Sequence, residues 1–460
     1  MSNKMISRRT FTLSAAAMFA AGTSSRLSFA ATAGTVNLRK DIENLTTPEL
    51  QAYEHAIKIV KDRSNADPND PTGYDFWAAL HDVSDESMHS GCTHFSEKFF
   101  PWHRRYLFDF EALLQKTDPT VTANVMIPYW DWTKKPTAGA HFPQAFETPG
   151  SPLFDNRLSI SPPPWDPADI HNLIQETDWS VFAGKPDPSN GFGSNPGSVE
   201  SGPHNTLHTN ISRHMRSPDT AVQDPIFWSF HAGIDLTWSR WQRLHVAVGA
   251  TQAFADPEAV LWFRDRSFNV ASTAKTIDFG YQYDYDFTPD GPEAAVVVAA
   301  ESAKRTGILT PAKEVTQFAP ILSNNGRQTL AAPVQRPLAD NTIIRMGDVK
   351  VFHDKSYKIY LYLHPTGIDM STLEAKTESP YFMRLITMWQ SHHDGEVEVF
   401  VRPTPAQLDQ IGRGWVITVQ TESAPSEEPT EAQAAGHMTH PMQDSSAAPN
   451  LLPKLELQER

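Results

Sequence analysis

The sequence predicts a mainly α protein: a four-helix bundle with long loops and histidines turned into its core, followed by a small C-terminal antiparallel β-sandwich. Three observations predict it. Apolar residues recur at helical spacing through much of the first 290 positions, and histidines continue those stripes. From about residue 341 the hydrophobic period changes from 3.6 to 2. From Glu422 onward the chain is acidic, rich in Pro and Ala and poor in aromatics, a composition that cannot bury a core.

The chain opens on Ser7-Arg8-Arg9-Thr10-Phe11-Thr12-Leu13 and an Ala-rich apolar stretch to Ala21. A twin arginine before such a run reads as a twin-arginine export signal over residues 1–33, with Ser28-Phe29-Ala30 or Ala31-Thr32-Ala33 before the cleavage point. A periplasmic or secreted destination in a bacterium is therefore expected. The run falls short of the ~20 residues that cross a bilayer, so no stable membrane anchor is expected. What remains after the signal is too long for one ordinary core and enough for two domains. A net charge of −15, with no basic cluster outside the signal, argues against a nucleic-acid partner. Cys92 is the sole cysteine, which excludes an intrachain disulfide.

In chain order, residues 48–63 place Leu50, Tyr53, Ile57 and Val60 on one helical face. A turn-rich stretch at 67–73 leads into a second helix through Trp77, Ala78 and His81. A third follows Pro101, which suits a first helical turn because its missing N–H would be unpaired there anyway. His103, Leu107, Phe110 and Leu114 share a face of that helix, as do His204, His208, Ile211 and Met215, and again His231, Ile234, Trp238 and Trp241. Four inward-facing helices with metals between them is a familiar way to build a site. His94 is out of phase with His103 and is expected on the loop before that helix. Residues 142–167 and 184–203 read as long ordered loops. Further on, residues 357–363, 396–401 and 415–421 alternate as strands, with Asp394-Gly395 as a hairpin-type turn between two such runs.

The chemistry lies in two histidine clusters, His81, His94 and His103 and then His204, His208 and His231. Six imidazoles can hold two metal ions with positions left open, but imidazole suits copper, zinc, iron and nickel alike. A zinc-hydrolase reading of His204-x-x-x-His208 needs Glu directly after the first histidine, and Asn205 stands there.

The surrounding residues narrow the choice. FFPWHRRYLFDFE around His103 and DPIFWSFHAGIDLTW around His231 resemble the two copper-binding signatures of the tyrosinase family, which includes tyrosinases, catechol oxidases and mollusc-type hemocyanins. The likeness covers about residues 74–111 and 200–241, and Phe279-Gly280-Tyr281-Gln282-Tyr283-Asp284 resembles the Tyr-x-Tyr element that closes the family's catalytic domain. The resemblance implies a dicopper domain over 34–290, while periodicity and composition give a helix (about 292–304) and linker over 291–340, a β domain over 341–422 and a disordered tail over 423–460. It implies two copper ions on the six histidines, O2 as co-substrate, small phenols as substrates and a copper chaperone as a candidate partner. The expected activity is ortho-hydroxylation of monophenols and oxidation of o-diphenols to o-quinones. A catechol or aminophenol oxidase without the hydroxylase step, and a hemocyanin-like O2 carrier, are the alternatives. The resemblance also implies a Cys92–His94 thioether from the Cys-x-His spacing, and a proton-removing water held by Glu200 and Asn205. The sequence departs from many relatives at Phe230, where a second histidine often precedes the ligand. Asp235 is expected to accept the outer N–H of a ligand imidazole, as metal-bound histidines usually require, and a C-terminal domain that covers the copper pocket is expected to keep the enzyme latent.

Overall fold

The computed structural model describes residues 37–81, 92–134, 141–157, 165–187, 193–211, 213–246, 254, 257–263, 266–287, 313–314, 321–322, 328–334, 338–368, 377–391, 394–409, 415–423 and 450–459. The export signal and the helix expected over 292–304 lie outside them.

Helix α1 (Thr47–Ala66) begins where Glu49 reaches back to the Thr46 N–H at 2.8 Å, half of a capping box, with Pro48 in the first turn. It buries Tyr53, Ala56, Ile57 and Val60. Helix α2 (Tyr74–Ala79) is shorter than the expected one. His81 falls just past its end, in a turn whose N–H bonds the Ala78 carbonyl at 3.1 Å. Helix α3 (Phe99–Leu114) is buried along most of its length. The next histidine-bearing segment starts irregularly. Residues Glu200–His204 form a π-type turn, and α4 (Asn205–Ile211) continues from it. Pro203 has no N–H to give a regular ladder, and Gly202 takes φ −94°, ψ −107°. A Cβ at Gly202 would sit 2.9 Å from the Trp165 ring, so only glycine fits this approach. Helix α5 (Ile226–Val246) is the longest. Gly233 lets it press on the 130–132 segment, since a Cβ there would lie 2.3 Å from Trp132.

Strands β1 (Asn37–Arg39) and β2 (Tyr281–Tyr283) pair in parallel and tie the two ends of this helical region together. Asp235 on α5 sits beneath them and ion-pairs with Arg104 on α3 at 2.5 Å.

The C-terminal region holds two sheets of antiparallel strands. One runs β6 (Phe382–Met388), β5 (Tyr357–Pro365), β8 (Trp415–Ser423), β3 (Gln328–Val334) and Ile321–Leu322. The other runs β7 (Gly395–Val401), β4 (Thr342–Val351), β9 (Lys454–Glu459) and Lys313–Glu314. Ile359, Leu361, Ile417 and Val419 from the first sheet share one apolar core with Ile344, Met346, Val349 and Val399 from the second.

Three expectations change here. The β region begins before residue 341, because the strands at 313–314, 321–322 and 328–334 belong to its sheets. Its chain does not end at 422: Lys454–Glu459 pairs with β4, and Leu455 is buried in the core, so alternation over six residues outweighs the polar composition around it. Residues 424–449 lie outside the description. Asp394-Gly395 is not a hairpin turn, since the strands before and after it, β6 and β7, belong to different sheets.

Candidate metal centre

α2 delivers His81 at its end, the loop before α3 delivers His94, and α3 itself delivers His103. The π-type turn and α4 present His204 and His208 one helical turn apart, and α5 presents His231. All six rings are buried. The first three, with Cys92, and the second three each form a group whose ligand atoms lie within 4.8 Å of one another. The two groups adjoin: the rings of His103 and His231 stack with centroids 4.5 Å apart, and those of His94 and His204 are 5.6 Å apart. Each group therefore has metal-binding composition, and the two face a common centre.

Hydrogen bonds on the outer nitrogens fix five of the six rings, while Nδ1 of His231 has no partner among the described residues. The Nδ1 atoms of His81, His103 and His208 donate to the carbonyls of Pro218, Phe99 and Met215 at 2.9, 2.8 and 2.8 Å. A carbonyl only accepts, so these three imidazoles carry their proton on Nδ1 and turn an Nε2 lone pair inward. His94 Nδ1 meets Glu200 Oε1 at 2.9 Å, and His204 Nδ1 meets Asn205 Oδ1 at 2.9 Å. The Asn205 amide nitrogen donates elsewhere, to Thr387 O, so its oxygen is the acceptor here. Nε2 of His103 lies 3.4 Å from Nε2 of His81, which sets two lone pairs face to face. The buried Nε2 of His204 has no partner among the described residues. Lone pairs converging in a dry cavity repel unless a cation lies between them, so the donor set fits a bound metal pair.

Burial holds His94, His103, His208 and His231 well below the ordinary imidazole range and brings His204 down to about 3. Burial thus favours the neutral form of these five imidazoles, the form that binds metal.

Glu200 and Asn205 sit on opposite groups. Glu200 accepts from His94 and from the Phe95 N–H at 2.9 Å, and burial pushes its carboxyl up. Asn205 holds His204 and is tied to β6 through Thr387. Cys92 is buried with its Sγ 3.8 Å from His103 Nε2, and burial raises its thiol. Asp235 is a correction. Its oxygens are taken by Arg104 at 2.5 Å and by the hydroxyls of Tyr281 and Tyr283 at 2.5 and 2.6 Å, with Arg39 at 3.6 Å, and it touches no ligand imidazole. Two buried guanidinium groups outcompete an imidazole N–H for that carboxylate. The outer nitrogens of His81, His103 and His208 meet backbone carbonyls instead, and those of His94 and His204 meet Glu200 and Asn205.

Sequence reasoning missed three aromatic residues at the site. Phe99 lies 4.6 and 4.7 Å from His103 and His204, and Phe227 lies 4.1 and 5.0 Å from His231 and His81 (ring centroids). Both sit inside the matched signatures, one turn before a ligand, and spacing could have found them. Trp389 carried no such signal. It comes from the segment after β6, stacks on His208 at 4.0 Å and 18°, and lies 5.7 Å from both His94 and His204. Phe230, where a histidine often stands in relatives, stacks against His204 at 5.7 Å and belongs to the core.

Residues 71–177 and 163–244 match the common central domain of tyrosinase. Over 251 residues the chain is 29% identical to tyrosinase HcTyr1 of a Hahella species, covering 44% of this chain and 53% of that protein. It is 27% identical to a tyrosinase of Streptomyces glaucescens over 286 residues, 55% of this chain and 99% of the relative. The chain thus spans about half the length of the first of these. The structure of latent apple tyrosinase superimposes with a TM-score of 0.60 at 19% identity, covering 85% of this chain and 94% of that one, a likeness of fold. No helix among the described residues is long and apolar enough to cross a membrane. The region that matches the common central domain of tyrosinase, residues 71–244, is thus the region that brings both histidine groups to one centre.

Proposed function

We propose that the protein is a copper-dependent phenol oxidase that uses O2, hydroxylating monophenols and oxidising o-diphenols to o-quinones. The observation that carries this is the convergence of two buried imidazole triads on one centre within a region that matches the tyrosinase central domain. His81, His94 and His103 would hold one copper ion, and His204, His208 and His231 the other. Bound there, the pair would supply the redox chemistry with O2. In this reading the four-helix bundle carries the metals, and the C-terminal sheets form a β-sandwich that covers them.

The chain's own residues have distinct tasks. Phe99 and Phe227 exclude water around the ligands. Glu200 and Asn205, one beside each triad, hold the water that takes the phenol proton. Their present bonds to His94, Phe95, His204 and Thr387 favour a second reading, a catechol or aminophenol oxidase in which both merely orient ligands. Trp389 stands over His208 as a plug, so the enzyme is latent until the C-terminal region moves. Cys92 would join His94 in a thioether, losing two hydrogens with O2 as oxidant. Intact mass of the copper-loaded chain two hydrogens light, with no alkylatable thiol, supports that bond; a freely alkylated Cys92 removes it. Twin-arginine export to the periplasm or beyond, and loading by a copper chaperone, complete the reading.

The test is oxygen uptake by the copper-loaded chain with a monophenol and its catechol side by side, before and after limited proteolysis near residues 300–340. Uptake with both supports the proposal, and uptake with catechol alone selects the second reading. No uptake in either state replaces both with a reversible O2 carrier.

A further inference from the structure

One short segment touches both metal groups and the plug. Residues 213–220 follow α4 as a 3-10 turn, Arg213–Arg216, and a further bend. Met215 O receives the Nδ1–H of His208, from the second triad, at 2.8 Å. Pro218 O receives the Nδ1–H of His81, from the first triad, at 2.9 Å. Between them, Arg216 O receives the indole N–H of Trp389. Three successive donors from three separate parts of the fold thus end on carbonyls spanning four residues.

The segment is held under some strain and pinned from outside. Arg213 takes φ 50°, left-handed backbone that a non-glycine residue adopts only when its surroundings impose it. His214 Nδ1 bonds Asp155 Oδ2 at 2.8 Å, and the Thr220 hydroxyl donates to His214 O at 2.7 Å. On the plug side, Trp389 stacks on His208 itself. Lifting Trp389 therefore removes one of the three donors and the ring that backs one of the ligands.

We propose that residues 215–218 are a backbone clamp that couples the Trp389 plug to both copper sites, so that the plug governs how firmly the metals are held as well as who reaches them. The inference rests on the reading of the six histidines as copper ligands and goes beyond it. The physical basis is that a ligand imidazole is oriented by the acceptor of its outer N–H, and disturbing such acceptors weakens metal binding. Here His81 and His208 share one short acceptor strip, so loosening it affects one ligand in each triad at once. Residues 215 and 218 act by positioning; their carbonyls touch no substrate.

The test uses the full-length copper-loaded chain and a Cu(I)-selective chelator, following release of metal over time. Trp389→Phe keeps an aromatic ring over His208 but cannot donate to Arg216 O. Asp155→Ala unpins the same strip at His214 while leaving the plug in place. Each variant is expected to release copper about five- to tenfold faster than the parent, the scale of one lost hydrogen bond, with both ions leaving together. Parent-like release in both variants overturns the clamp. Acceleration in Trp389→Phe alone also overturns it, because the plug is then only a shield. Far-UV circular dichroism confirms that each variant is folded before release is read. A parent chain that takes up no copper pair contradicts the metal-centre reading instead, whereas a parent with two ions and unaffected variants contradicts only the clamp.

Discussion

Replacing Trp389 by alanine should convert a closed enzyme into an open one. The indole is 1% exposed and makes ring contacts with His94, His204 and His208. Burying a Trp side chain removes roughly 200 Å² from water, worth about 5 kcal/mol as an upper bound. Ordering the segment that carries it offsets part of this, leaving about 3 kcal/mol in favour of the plugged state, or about a hundredfold. A substrate that binds only the open state has its apparent affinity reduced by that fraction. Trp389→Ala should therefore raise kcat/KM for a catechol about a hundredfold, measured as oxygen uptake per bound copper. A folded, copper-loaded variant with kinetics within twofold of the parent would refute the plug.

Asp235→Asn should lower stability by about 3–5 kcal/mol, read by thermal denaturation, because it leaves the buried guanidinium group of Arg104 without its carboxylate, whereas Arg39 keeps Glu111; copper stoichiometry should not change, and loss of copper without loss of stability would contradict this role. Glu200→Gln should cut monophenol turnover by at least tenfold more than catechol turnover, and equal losses on both would reduce Glu200 to a support for His94. The copper-free chain should be acid-sensitive. Its buried histidines have folded-state values below the unfolded one of about 6.5, so the unfolded chain takes up protons first as pH falls. Their contribution is therefore full above that pH and is lost below it, by up to about 1.4 kcal/mol per pH unit for each histidine. A melting temperature that stays flat from pH 6.5 to 4.5 would contradict that burial.

Much of the site was legible because local and long-range signals coincide there. His103, His208 and His231 extend apolar stripes, so the pattern that builds each helix also aims its ligand inward. His94 was legible for the opposite reason, being out of phase with the helix it precedes. Asp235 misled because its spacing from His231 is right for contact along a helix, while its true partners come from α3, β1 and β2. Trp389 and the strip at 215–218 were illegible because nothing local marks them. Their roles arise only when a C-terminal segment more than a hundred and fifty residues away in sequence comes to rest on α4. The last strand hid for a simpler reason: Lys454–Glu459 alternates, but its neighbours in sequence do not.

If the two triads each hold one copper ion, metal analysis will show it. The copper-loaded, signal-free chain should carry two equivalents, with His103→Ala and His208→Ala each reduced towards one and incapable of O2-dependent phenol oxidation. A parent chain that binds a single equivalent, or single-ligand variants that keep both ions and full activity, would contradict the account.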